Sequence, residues 1–342
     1  MTVASETAPV TRRLRLAALL VSRLLVFAAC GGGGGGGDGG DSASSTTTSA
    51  AGAGEVIATA ANYELLANRD QRFIAGLVVR GDGRVVSFGT VKFGFFYLGT
   101  REKPIDPPEA KFDASGTFAP IGSADATADA GGGEPRKVRP SEGLGVYRAS
   151  NVRFDTAGYW GVEITATIDG KRAAAETVFE VFDQPRVPAP GQPAPRTAMP
   201  VAGAPGVKDT AIDSRATGGD AIPDPELHAT TVADALAAGK PTVVVVSTPV
   251  FCVSKFCGPI TDAVSDVAKR YGDRVAFVHL EVWGDFEKKQ LNPWAGEWIR
   301  LPSGDANEPW VFTIGRDGVI VDRFDNVVGN DELETAVARI AA

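Results

Sequence analysis

Between residues 55 and 183, apolar and polar positions alternate in short runs broken by Gly, Asp and Pro. Runs at 72–79, 90–98, 144–149, 159–168 and 176–182 are rich in Val, Ile, Phe, Tyr and Thr, the residues that suit a half-buried pleated surface. Turn signals separate them at Arg80-Gly-Asp-Gly-Arg84 and Asp169-Gly170. Period two at this spacing predicts two packed antiparallel sheets over 55–183. The small residues of 113–139, with Gly131-Gly-Gly133 among them, predict a long loop between strands. Beyond residue 225 the period lengthens. The expected order is a helix at 225–238, strand 242–247, helix 260–271, strand 275–281, helix 293–300, strands 310–314 and 318–323, and helix 331–340. Val243 to Val246 is apolar without a break, as in a strand covered on both faces. Ile260, Ala263, Val264, Val267 and Ala268 mark one face of the following helix.

The rest of the chain builds no core. Arg12, Arg13 and Arg15 precede an apolar stretch, 16–29, interrupted by Arg23 and ending at Cys30, the shape of an export signal. Residues 31–54 are nearly all Gly, Ser, Thr, Ala and Asp, a composition that makes a flexible tether. Repeated prolines begin a connector at 184–225. The sequence carries 34 basic and 42 acidic residues; without residues 1–29, which hold four Arg and one Glu, the balance is 30 against 41, net −11. No basic stripe with interleaved aromatics is present, so nucleic acid is not an expected partner. No phosphate loop, dinucleotide fingerprint or nucleophile elbow occurs.

Chemistry concentrates in Ser247-Thr-Pro-Val-Phe-Cys252-Val-Ser-Lys-Phe-Cys257-Gly258-Pro259-Ile260. Cys252 and Cys257 are the only cysteines past residue 30. Two thiols at a strand-to-helix junction make either a redox pair or a structural clamp. Leu25-Val-Phe-Ala-Ala-Cys30 resembles a bacterial lipoprotein signal. That likeness implies cleavage before Cys30, its acylation by fatty acids such as palmitate, and a lipid-anchored protein on the extracytoplasmic face of the cell membrane.

Residues 226–342 resemble a thioredoxin-like α/β domain. Phe256-Cys257-Gly258-Pro259 matches the family's aromatic-Cys-Gly-Pro motif, with Ile260 in place of its second cysteine. Glu308-Pro309-Trp310 and the hairpin after it match the cis-proline segment. The resemblance implies that Cys257 attacks, that Pro309 is cis and faces the cysteine loop, and that Phe256, Gly258, Pro259 and Trp310 border a partner groove. Cys252, in the preceding loop, then resolves the mixed disulfide. The partners implied are exported protein thiols or disulfides and a redox partner; no cofactor is implied. The alternative is a cell-envelope interaction module with a structural Cys252–Cys257 bond.

Phe154-Asp-Thr-Ala-Gly-Tyr159-Trp160 resembles the strand-entry corner of immunoglobulin-like β-sandwiches, with Tyr159 in the tyrosine place. His228 and His279 are the only histidines. With no third imidazole near the thiols, His279 is expected as a structural residue and no metal site is assigned. Glu281 and Asp285 are expected on a solvated rim. Trp283, Trp294 and Trp298 are expected in the core or at its edge.

Overall fold

The computed structural model describes residues 55–121, 132–217, 221–252, 254 and 256–342. The leader, Cys30 and the tether lie outside the described residues. The described residues all fall in one compact unit.

The N-terminal region is β apart from one 3-10 turn at Pro140–Glu142. Its strands are β1 (Val56–Ala60), β2 (Leu65–Leu66), β3 (Asp70–Val79), β4 (Val85–Ser87), β5 (Thr90–Gly99), β6 (Pro104–Pro120), β7 (Arg136–Val138), β8 (Gly145–Arg153), β9 (Gly158–Ile168) and β10 (Lys171–Phe182). The expected strands are all present, but they join into one continuous ten-stranded sheet. The joint is β6, whose first part pairs with β5 and whose last four residues pair with β8. The sheet closes over an aromatic core in which Phe73 of β3 meets Phe93 and Phe95 of β5 and Phe179 of β10 at 5.0–5.3 Å.

Residues 113–120, expected as loop, are the end of β6. The small residues there have a packing reason: a Cβ at Gly116 would sit 2.3 Å from the Phe93 ring. At the corner before β9, Trp160 takes the buried place expected of Tyr159. Trp160 is fully buried and its Nε1 donates to Thr156 O at 3.0 Å, while Tyr159 is half-exposed.

The C-terminal region holds α1 (Val232–Ala237), β11 (Thr242–Ser247), α2 (Cys257–Tyr271), β12 (Ala276–Glu281), β13 (Trp283–Asp285), β14 (Gln290–Leu291), α3 (Pro293–Ile299), β15 (Trp310–Ile314), β16 (Ile320–Asp325) and α4 (Asn330–Ala341). Its four-stranded sheet runs β12-β11-β15-β16, with β11 and β12 parallel and the last two strands antiparallel. α2 and α4 pack on one face through Ile260, Val264, Leu333 and Val337; the other face buries Val244, Val246, Trp298 and Phe312. This is the mixed α/β arrangement that the order of elements predicts. The β13–β14 hairpin was not legible in the sequence, and α1 is shorter than expected.

The two regions share a core. Ile74, Ala119, Ile121 and Val146 of the β region pack with Val327, Val328, Leu333 and Val337. Asp325 anchors the polar part of this contact: it accepts from the Tyr63 and Glu64 amides and from Asn62, and pairs with Arg72 at 3.2 Å. Nor is the proline-rich stretch a free connector. Val187, Ala189, Thr197, Met199, Asp213 and Ser214 are buried, and Ala194 and Gln192 hydrogen-bond to the β15–β16 hairpin. Because one buried carboxylate of the C-terminal region satisfies donors from four residues of the β region, Asp325→Ala is expected to lower stability by about 3–5 kcal/mol. Urea denaturation should still show one transition for both regions.

Candidate functional site

Every residue of β11 is buried, so the strand's register dictates what surrounds its C-terminal end. Ser247 lies opposite Glu281, Val245 opposite His279, and Val246 opposite Trp310. The cysteine loop leaves from this end, and the Glu308–Pro309 peptide just before β15 is cis, as the resemblance implied.

Cys252 and Cys257 form a disulfide with Cα atoms 5.9 Å apart, within the ordinary range. Cys257 is the first residue of α2 and is fully buried, whereas Cys252 is half-buried. Solvent therefore reaches the residue expected to resolve, not the one expected to attack. Sequence spacing carries no information on burial, which is why the roles could not be read from it. The first turn of α2 is tied to β11: Thr261 Oγ1 donates to Cys257 O at 2.8 Å and lies 2.7 Å from Ser247 Oγ. Ser254 Oγ lies 3.2 Å from Cys252 Sγ.

The expected groove is largely covered. Trp310 is 2% exposed. Tyr63, from the β region, lies over it with ring centroids 5.9 Å apart, and its hydroxyl donates to Glu308 O at 2.5 Å. Tyr63 also meets Ser254. Trp310 is thus a packing residue, a correction that only the contact between the two regions explains. Phe256 is partly buried against the core, and Gly258 and Pro259 are half-buried. The accessible apolar side of the loop is elsewhere: Val250 is 51% exposed, and Phe251 stacks on Phe286 at 4.1 Å.

Glu281 is not on a rim. It is 1% exposed, its Oε2 accepting from Ser214 N at 2.8 Å and its Oε1 from Trp283 N at 3.2 Å. Burial pushes its pKa up to about 7 against those hydrogen bonds. Glu308 is also pushed up to about 7, by burial and then by the charge of Glu281. Asp285 pairs with Lys288 near the surface. Trp298 is fully buried and donates to Thr197 Oγ1, while Trp283 and Trp294 are half-buried at the edge of the same core.

His228 and His279 come together, with Asp213 between them. All three are at most 1% exposed. Asp213 Oδ2 lies 3.3 Å from His228 Nε2 and 3.5 Å from His279 Nδ1, and Arg215 grips both carboxylate oxygens. Burial works against the charge on Asp213, but hydrogen bonds from His228 and Arg215 hold its pKa well below the carboxylate range. Ser214 links this cluster to the cysteine loop, its Oγ accepting from Val250 N at 3.2 Å. The expectation of a structural His279 did not include this meeting, since Asp213 sits in a stretch that reads as connector. The one available signal was that both histidines of the chain belong to the C-terminal region.

No protein-family model matches the chain, and no curated protein does. Among solved structures, the chain is similar to a thiol:disulfide interchange protein of the thioredoxin family from Chlorobium tepidum, at 14% identity, covering 47% of this chain and 99% of that one with a TM-score of 0.27. At that score the likeness adds no weight to the fold, which rests on the sheet order and the placement of α2. Among the described residues, no helix is long and apolar enough to cross a membrane.

Because the Glu308 carboxyl is raised from 4.5 to about 7 in the folded state, the fold binds more protons than the unfolded chain between those values. The stability it contributes is complete below about pH 4.5 and lost as pH rises through about 7. Urea denaturation of Glu308→Gln should therefore gain about 1–2 kcal/mol over the parent at pH 8 and nothing comparable at pH 4.5.

Proposed function

We propose that the protein is an extracytoplasmic thiol-disulfide exchange protein, tethered to the cell membrane through a lipid on Cys30, whose reactive sulfur is Cys252. One observation carries the reading: the disulfide at the N-terminus of α2 joins one half-buried cysteine, Cys252, to one fully buried cysteine, Cys257. A thiolate of an exported protein attacks Cys252 Sγ; the Cys252–Cys257 bond breaks and Cys257 leaves as a thiolate. Unpaired N–H groups in the first turn of α2 favour that charge, and a better leaving group departs faster. A second thiolate of the partner then attacks the partner sulfur of the mixed disulfide and releases Cys252 as a thiolate, next to the Ser254 hydroxyl. The partner loses two electrons and the pair gains two. With its outward side facing Val250, Phe251 and Phe286, the loop suits an apolar partner segment. These roles reverse the assignment implied by the Phe256-Cys257-Gly258-Pro259 motif.

The full burial of Cys257 also favours a second reading, a structural clamp in a cell-envelope interaction module. Trapping separates them. Reduced Cys257→Ser, treated with oxidised glutathione, is expected to hold one glutathione at Cys252, read by mass spectrometry. Cys252→Ser should react at Cys257 at least about tenfold more slowly, because the thiol is shielded. Equal reactivity at both positions would remove the assignment of Cys252, and inertness of both would favour the clamp.

A further inference from the structure

We propose that Asp213, His228 and His279 form a binding site for one divalent transition-metal ion, of the zinc class, held by Asp213 Oδ2, His228 Nε2 and His279 Nδ1. The site is separate from the cysteine pair and does not depend on the exchange reading.

The geometry of the donors comes first. The carboxylate oxygen lies 3.3 Å from one imidazole nitrogen and 3.5 Å from the other, and one ligand atom from each of the three residues falls within 4.8 Å of the others. Bonds of about 2.0–2.2 Å to a tetrahedral zinc place neighbouring donors about 3.3–3.5 Å apart. The two carboxylate-to-imidazole edges match that spacing. Two imidazoles and one carboxylate suit Zn²⁺ and its neighbours in the first transition row.

The second observation is a count of hydrogens. His279 Nε2 lies 3.2 Å from Ser247 O, a carbonyl that can only accept. His279 Nδ1 faces Asp213 Oδ2, another acceptor. A neutral imidazole has one N–H for these two oxygens. If Nε2–H donates to Ser247, a bare lone pair on Nδ1 opposes a carboxylate; if Nδ1 carries the proton, a lone pair opposes the carbonyl. A cation on Nδ1 removes the conflict. His279 Nδ1, the proposed ligand atom, is buried without a hydrogen-bond partner. In a metal site, the Nε2–H···O bond to Ser247 is the outer contact that fixes the tautomer of a ligating histidine.

Charge is the third. Arg215 donates through Nε to Asp213 Oδ1 at 3.0 Å and through Nη2 to Oδ2 at 2.7 Å, and by itself it opposes a second cation. Its guanidinium is also shared with Asp224 at 2.8 Å and Asp262 at 3.2 Å. Three carboxylates against one guanidinium leave net −2 with neutral imidazoles, the charge one divalent ion balances. A bound ion would join the 213–215 segment to the loop at His228 and to β12, and through Ser214 would steady the Val250 side of the cysteine loop.

The test uses the full chain, stripped with chelator, with the Cys252–Cys257 disulfide intact by thiol titration so that thiolates cannot bind metal. Co²⁺ is added and then displaced by Zn²⁺. The expected result is one Co²⁺ per chain, with visible bands of four- or five-coordinate geometry, no thiolate charge-transfer band, and a melting temperature raised by the metal. His279→Gln, which retains a donor for Ser247 but lacks Nδ1, and Asp213→Asn should each bind at least about 100-fold more weakly. Folding of each variant is checked by circular dichroism. If the wild-type protein binds no Co²⁺ or Zn²⁺ at tens of micromolar while natively folded, the site does not exist. Binding by the folded variants at wild-type strength would overturn the ligand assignment equally.

Discussion

The six residues of β11 have no exposed face, so every polar group reaching the end of that strand must find its partner inside the protein. Ser247 shows the consequence: its hydroxyl meets Thr261, and its carbonyl accepts from His279. Glu281, opposite Ser247 in the register, is held by Ser214 and Trp283. These contacts fix the start of α2, the cysteine loop and the 213–215 segment relative to one another. An unpaired polar group here would cost about 1–3 kcal/mol, so the arrangement tolerates little slack.

The same constraint explains why the β region belongs to the site rather than standing off from it. Tyr63 covers Trp310 and bonds to the carbonyl before Pro309, while Asp325 collects donors from residues 62–64 and Arg72. The wall that a thioredoxin-like domain is expected to offer a partner is occupied from within the chain. What remains open is the side of Val250 and Phe251, nearest Cys252. Cys252 is half-buried beside that open side, whereas Cys257 is fully buried.

Local pattern carried much of this to the reader of the sequence. The unbroken Val243–Val246 run and the face of α2 gave strand and helix in the right order, because each is set by neighbours in the chain, while the cis Glu308–Pro309 peptide was legible only through the family resemblance of its segment. Long-range choices were hidden. Gly116 reads as loop until Phe93 is seen against it, and Trp160 displaces Tyr159 at the corner because its indole reaches both the core and Thr156 O. Asp213 looked like connector, since its partners are 15 and 66 residues away in sequence. The roles of the two cysteines were hidden for a similar reason: the motif names Cys257, but burial is a property of the packed loop.

The reduction potential of the Cys252–Cys257 pair, measured in the full chain by thiol titration in defined redox buffers, tests the exchange function most directly. The account predicts a value between about −120 and −270 mV, the range in which disulfides are passed between proteins. A value below about −300 mV would contradict it and make the bond a structural clamp.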